Sequence, residues 1–482
     1  MQYKILLLIA SHFWKDTFKS KAIYPIMVII YLLLFFAAQS GWQNNRTQNE
    51  MRAKYQQKAR ESWEANPDKH PHRMAHFGTF AFRLQHPLSM LDFGIESFTG
   101  TAVFLEAHKQ NTVNFSEASF STGLLRFGEL SMAMILQTIL PLCIFFLGFA
   151  TVVTERENGT LKITFTQGAS WKEILLGKSL GLMAVVQLFF IPVLLVTLFF
   201  LLLSDAHLNA DILIRFIAVF SAYFIFFAIL CFITIGISAT SQKSKNALVK
   251  LLGIWLIFVV LMPKTSQALG SYFHPSPSKI KFKSEIEDEL VRKGDSHNPD
   301  DPYFMSLKDS ILHEYNVESV TDLPFNYGGF VMSIGEKNSS EIYNKHFSQL
   351  LDIYRSQNLV SRFGAIINPY IAIKNISMAL TGTNFVSYTD FQMQAESYRY
   401  NLAQEMNELQ MEYISPNKTH GSEGKTHVIG QEHWEEFPDF EYIFLSIGSV
   451  LKSEVLSILS LLGWILLTVG FIINLTKTAK VL

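Results

Sequence analysis

Charge is scarce in this 482-residue sequence, and what there is nearly cancels: 40 Lys and Arg stand against 41 Asp and Glu, together 17% of the chain. No basic field is present to meet a nucleic acid backbone. Cysteine is scarcer still. Cys143 and Cys231 are the only two, both inside apolar runs, so no disulfide framework is available and cysteine says nothing of the redox compartment. There is no internal repeat and no low-complexity tract. Charge is also missing from the centres of the apolar runs, where Gln137, Gln187, Pro141 and Pro192 are the polar or kinking exceptions. A charge in hydrocarbon is costly and is retained for use, so intramembrane carboxylates mark ion and proton pathways. Their absence argues against a carrier coupled to protons or sodium. A phosphate-binding loop is lacking as well. Gly177-Lys178-Ser179 imitates the end of one, but position 172 is Lys where a glycine is required, and no strand precedes it. Backbone amides must wrap the phosphates in such a loop. The chain is therefore not expected to hydrolyse ATP, and no cofactor of its own is expected.

Apolar residues make up 49% of the chain, with 41 Phe. Their distribution matters more than the total. Crossing a bilayer takes about 20 apolar residues, and runs near that length predict spans at 22–40, 129–153, 178–204, 212–239, 246–269 and 452–475. The first run is too long, and too far from the N-terminus, for a signal peptide. Short-loop lysines and arginines set orientation. They gather at Lys4, Lys15, Lys19 and Lys21, at Arg156, Lys162, Lys172 and Lys178, at Lys243, Lys245 and Lys250, and at Lys477 and Lys480. The loop between the third and fourth runs carries Asp205 and Asp211 instead. Six spans with both termini cytoplasmic fit this pattern, and two long segments, 41–128 and 270–451, then face outward. The expected fold is an all-α polytopic membrane protein with six transmembrane helices and a mainly α extracytoplasmic domain built from those two segments.

Local patterns support this. Arg46–Glu64 reads as a polar helix that breaks at Asn66-Pro67. Ile342, Phe347, Leu350, Leu351 and Tyr354 fall at three- and four-residue spacing within a helix over Glu341–Gln357, and a second helical pattern covers Phe391–Tyr413. Residues 1–21 form an amphipathic lead, with Ile5, Leu8, Ile9 and Phe13 on one side and Lys4, Lys15 and Lys19 able to reach headgroups. That pattern suits a helix lying on the inner leaflet.

Residues 154–177 are a charged segment pinned between two spans. Such a segment can touch a soluble partner but cannot leave the membrane. Glu155, Arg156 and Glu157 follow the second span directly, and Gly159 lets the chain turn sharply. Thr160 is placed to cap one short helix and Ser170 a second, Trp171–Leu176.

Glu155-Arg156-Glu157-x-Gly159-Thr160-Leu161, followed by Ile174-Leu175-x-Gly177-Lys178, resembles the segment between the second and third spans of type-two ABC transporter permeases. The resemblance implies a coupling helix that docks on a separate ATP-binding subunit, which holds the ATP and magnesium. On the same resemblance, Glu155, Arg156, Glu157, Gly159, Thr160, Trp171, Gly177 and Lys178 are its expected docking residues. Further stretches are similar to a narrower subfamily known as a domain of unknown function. One contains His76, Gly78, Asp92 and Gly94 and ends in Gly100–Asn111, with Glu106 and His108. The other holds Asn368-Pro369, Leu380-Thr381-Gly382-Thr383 and Ala395-Glu396-x-Tyr398-Arg399.

Histidines 70, 72, 76, 86 and 108 lie in the first outer segment, and Met74 among them would suit Cu(I). Pro71 splits the His-x-His pair, so structural hydrogen bonds are expected for His76 and His108 and no metal site is expected. His313-Glu314 lacks the second histidine of a protease helix. The expectation is a permease subunit in a bacterial inner membrane, an exporter or mechanotransmitter. Its expected partners are an ATP-binding subunit, a second permease chain (identical or paralogous), a periplasmic partner and membrane lipid. The rival reading is a membrane-anchored extracytoplasmic binding or scaffold protein without ATPase coupling, with a metal-handling module behind it.

Overall fold

The computed structural model describes residues 2–114, 116, 119, 130–204, 208–415 and 427–478. Asp205, Lys480 and the expected start of the second span at 129 lie outside the described residues. Among those described, six helices are long and apolar enough to cross a membrane: Ile23–Glu64, Met132–Glu157, Trp171–Leu203, Ala210–Thr240, Ser244–Phe273 and Val455–Thr478. The chain is an all-α polytopic membrane protein.

The chain begins with α1 (Tyr3–Lys19) and α2 (Ile23–Glu64). After α2 come α3 (Pro71–Phe77), β1 (Thr79–Phe82) and β2 (Ala102–Leu105). The strands pair antiparallel from Thr79↔Leu105 to Phe82↔Ala102, a hairpin the sequence patterns did not suggest. The second span holds α4 (Leu140–Gly148) and ends in α5 (Val153–Glu157). Then follow α6 (Thr160–Thr166), α7 (Trp171–Leu203), α8 (Ala210–Thr240), α9 (Ser244–Trp255) and α10 (Met262–Phe273). The second long segment contains α11 (Lys279–Lys293), α12 (Pro302–Glu314), α13 (Tyr327–Ile367), α14 (Pro369–Leu380) and α15 (Phe385–Tyr413). The last span is α16 (Val455–Thr478).

Two helices differ from the sequence reading because no breaker separates span from extension. The polar stretch Arg46–Glu64 continues the first span, so α2 runs 42 residues, about 63 Å at 1.5 Å per residue. Trp171–Leu176 is likewise the first part of α7 rather than a separate short helix. Ser170 and Glu173 start it with a reciprocal capping box, and the Gln2 amide donates to Glu173 Oε1 at 3.0 Å.

The N-terminal amphipathic helix packs on the start of α7. Leu6 and Phe13 are buried in the contact, while Leu7, Leu8, Lys4 and Lys15 stay exposed. Small residues permit the approach. A Cβ added at Gly177 would lie 2.9 Å from Ile9 Cβ and from the Leu6 carbonyl oxygen, and one at Gly181 would lie 2.8 Å from Phe13 Cβ. This is close packing at a small-xxx-small pair, and it accounts for the glycine of the Gly177-Lys178-Ser179 motif.

The bundle has one main apolar core. The two long segments fold into one large domain with smaller cores of their own. In one of these, Trp63 and Met74 meet Leu402, Met406 and Trp434. The Trp63 indole donates to the Trp434 carbonyl at 3.1 Å. Arg52 on α2 and Arg83 after β1 both reach Glu96, at 3.3 and 2.6 Å, with all three side chains buried. Domain and bundle meet at Asp92. Its carboxylate accepts from the Ser377 hydroxyl, from the Gly94 amide at 3.0 Å and from the Gln137 amide at 3.4 Å. Gln137 also donates to the Tyr223 hydroxyl at 2.7 Å, so it joins helices as interhelical glue. Asn384 caps α15. Ile342 is buried on the inner face of α13, as its spacing requires.

Gly177→Ala is expected to lower the melting temperature of the detergent-purified chain, because the new methyl group meets α1 backbone, with overpacking costs of about 1–3 kcal/mol. Gly463→Ala, where nothing lies within 4 Å of the added Cβ, is expected to leave it unchanged or raise it, since alanine favours helix by up to about 1 kcal/mol. Equal shifts in the two variants would contradict the close-contact account.

Candidate functional site

Glu155, Arg156 and Glu157 stand where the second span ends and the chain reverses. Each is committed to a different neighbouring helix. Glu155 pairs with Lys178 of α7 at 2.7 Å, and the same ammonium donates to the Thr151 carbonyl at 2.8 Å. Arg156 donates to the carbonyls of Ala239 and Ser241, both at 2.7 Å, at the end of α8. Those carbonyls would otherwise be orphans, and a cation suits that end of the helix dipole. Glu157 accepts from the Ser244 amide at 3.0 Å and from its hydroxyl, at the start of α9. In return, the Ser238 hydroxyl of α8 accepts from the Val152 and Val153 amides at 3.0 and 3.2 Å. Three successive charges thus fasten α5 to α7, α8 and α9.

Gly159 makes the turn that follows, with φ +75°. Nothing lies within 4 Å of an added Cβ there, so the demand is conformational rather than steric. The cap of α6 is Gly159 itself. Thr160, expected as the cap, is the first helical residue and donates to the Glu155 carbonyl at 3.3 Å. Gly168, at φ +93°, ends the element before Ser170. On α6, Lys162, Ile163 and Thr166 are exposed while Leu161 is buried. Trp171, Gly177 and Lys178 are buried within the chain. Their places in the structure make them supports of the turn. Exposed Ile163, which the motif did not single out, is the apolar side chain α6 presents outward.

The second constellation lies in the large domain. Arg399 of α15 sits between two carboxylates. It forms a fork with Glu396, at 2.8 and 2.7 Å, and donates to Glu336 of α13 at 2.7 Å. It also donates to the Glu106 carbonyl at 3.2 Å. Glu336 is fully buried and accepts from the His108 amide at 2.6 Å, with the His108 ring nitrogen Nδ1 at 3.2 Å. The Glu106 carboxylate accepts from Asn111 at 2.9 Å. The structure therefore brings Glu106, His108, Glu396 and Arg399 together from the two long segments. Glu336 completes the group, and no local pattern in its polar helix could have marked it. Asp92 and Gly94 belong instead to the junction with the bundle, where an added Cβ on Gly94 would lie 2.4 Å from the Thr383 carbonyl oxygen. Gly78, at φ +68°, turns the chain from α3 into β1.

Burial pushes the Glu336 carboxyl up, but the His108 hydrogen bond and the Arg399 charge outweigh it and hold the group down at about 2. Glu396 moves the other way, raised by burial despite Arg399. Glu336 differs in gathering donors from two residues, His108 and Arg399.

The histidines divide in two. His70 caps α3 and His86 caps the turn Pro87–Met90, each accepting a backbone amide at 3.2 Å. Met74 is buried among Trp63 and Trp434. His72, His76 and His108 converge with His297, which lies between α11 and α12, and one ring nitrogen from each lies within 4.8 Å of the others. His72 is pushed down to about 3 by burial and by the neighbouring imidazoles. The readable signal was His72-x3-His76, a spacing that puts both rings on one helix face; His297 gave none.

Residues 7–312 match the family model of the ABC-2 family transporter proteins. Residues 279–443 match a domain of unknown function (DUF3526). No curated protein matches the chain.

Arg399→Met would leave Glu336 and Glu396 buried without their cation, a loss of about 3–5 kcal/mol, seen as a large drop in thermal stability. Arg399→Lys, which cannot form the fork, would recover only part. The folded pKa of Glu336 lies below its ordinary value of 4.5, so its stabilisation is present above that value and is lost as pH falls towards the folded one. Between about pH 5 and about pH 3 the wild-type melting temperature should fall faster than that of Glu336→Gln. Parallel curves would sink this assignment.

Proposed function

The chain belongs to the ABC-2 family of transporter proteins, and on that premise we propose how this membrane permease subunit of an ABC transporter is driven. The family implies an ATP-binding partner subunit in general. In our reading α5 and α6 are the coupling element, the exposed face of α6 docks on that subunit, and the large domain with both long segments lies on the far side of the membrane. The observation that carries the reading is the triple fastening of Glu155, Arg156 and Glu157. Only Asn158 and Gly159 separate α5 from α6, so a push on α6 would reach α7, α8 and α9 through hydrogen bonds and ion pairs of 2.7–3.0 Å.

Six spans are few for a pathway, so two permease chains beside two ATP-binding subunits fit the proposal best. ATP-driven closure of those subunits would press the two α6 elements together. The spans would then shift against each other and move the large domain. The sequence places no Asp or Glu at the centres of the six apolar runs, which agrees with a machine driven from the nucleotide side; the carboxylate that meets the bundle, Asp92, comes from the first long segment. The output is export, or force passed to a periplasmic protein without passage of a substrate.

Co-expression with a candidate ATP-binding subunit, and purification through a tag on this chain, tests the docking. Ile163→Asp is expected to lose the subunit while the chain itself remains folded. Glu157→Gln is expected to keep the subunit but lose at least half of the ATP turnover that the complex shows, because the charge at α9 is gone. Full recovery of subunit and turnover with Ile163→Asp would rule out α6 as the docking element and favour an anchored protein whose large domain works alone.

A further inference from the structure

We infer that His72, His76, His108 and His297 form a binding site for a divalent first-row transition ion, zinc or copper, which bridges the two long segments of the large domain. The inference stands apart from ATP coupling and does not need it.

The four rings form a closed set. Their centroids lie 4.6 to 6.2 Å apart in all six pairings. The His72 and His76 Nε2 atoms are 3.2 Å apart. Tetrahedral zinc, with Zn–N near 2.0 Å, separates its nitrogens by about 3.3 Å, so this pair is already spaced for one ion. The four ligand atoms lie within 4.8 Å of one another. Closing the widest gap, from at most 4.8 Å to about 3.3 Å, takes up to about 1.5 Å, and His297 sits on an exposed loop.

The support behind the ligands points the same way. A metal-bound histidine usually gives its other ring nitrogen to a carboxylate or carbonyl, which fixes its tautomer and aim. His108 has that arrangement: Nδ1 faces the buried Glu336 carboxylate at 3.2 Å, and Nε2 is buried with no hydrogen-bond partner. The residue is held at φ +61°, an uncommon conformation for a side chain with a Cβ, and such strain clusters at binding sites. Glu336 secures it by accepting the His108 amide as well. His297 repeats the theme more loosely, with Nδ1 3.5 Å from Asp295. The four ligands that converge are all imidazoles, which suit Zn²⁺ or Cu²⁺. Four protein ligands leave no open position, as in structural rather than catalytic zinc sites. His76 and His297 are exposed, so the ion can enter from solvent.

The test uses the full chain in detergent, stripped with chelator and then titrated with zinc alone or copper alone. Expected is one ion per chain. His297→Ala, on an exposed loop, should weaken binding by at least tenfold, and His108→Ala and the pair His72→Ala/His76→Ala by more. His70→Ala, a helix cap outside the cluster, should bind as wild type does. Removal of the Glu336 carboxylate in Glu336→Gln should weaken binding about 10–100-fold, as loss of a carboxylate behind a ligand does. With copper, nitrogen hyperfine coupling from imidazoles should appear in the electron spin resonance spectrum and disappear in the variant lacking all four histidines. Uptake of either ion that depends on the four histidines supports the site. Equal uptake by wild type and by the variant lacking all four, or no uptake of either metal, overturns it. His297→Ala keeps the test decisive should the buried His108 variant fail to fold.

Discussion

A helix end leaves several carbonyls or amides without partners. In this chain that constraint falls on the end of α8 and the start of α9, and a single turn, itself tied to α7, meets both. Glu155 takes the ammonium of α7, Arg156 the last carbonyls of α8, and Glu157 the first amide and hydroxyl of α9. The Ser238 hydroxyl answers by serving the first amides of α5. Because each charge is used inside the chain, the turn is fastened to three other helices. What is left to face outward is α6, carried on that base and set at its angle by Gly159.

The large domain solves a different problem with the same means. Its two halves are separated in sequence by four spans, and they share two small apolar clusters, one around Trp63 and Trp434 and one around Val103 and Phe391. A buried charge strengthens the join. Arg399 holds Glu336 and Glu396, and Glu336 in turn fixes His108 from the other half. Such a group contributes little if judged by its formation alone, but removal of one member is costly. It therefore specifies one arrangement of the halves. The same contacts aim the His108 ring at His72 and His76.

Much of this was legible from one strand of information, the periodicity of apolar residues. The six spans, the charged turn, the Ser170 cap and the apolar face with Ile342 all follow from spacing and local chemistry. What could not be read is where long-range partners lie. Glu336 stands in a polar stretch of α13 without any local mark, and its meaning comes from residues 228 and 63 positions away. His297 is the same case. Gly177 looked like part of a phosphate motif, and its cause is instead the side chain of Ile9 in another helix. The continuous helices α2 and α7 were divided at the edge of the apolar run, because composition marks where the membrane ends while the backbone needs no break there.

An unbroken α2 makes the first span and the large domain parts of one lever arm. Its 42 residues run from Ile23 to the Trp63 contact with Trp434. For a rod of about 63 Å, a tilt of roughly 5° at the base sweeps the far tip through about 5 Å. Arg52 and Trp63 grip the domain along that outer half, so the sweep is delivered to the domain body rather than dissipated in a hinge. On that geometry, a tilt of a few degrees at the base would become a displacement as long as one turn of helix at the tip.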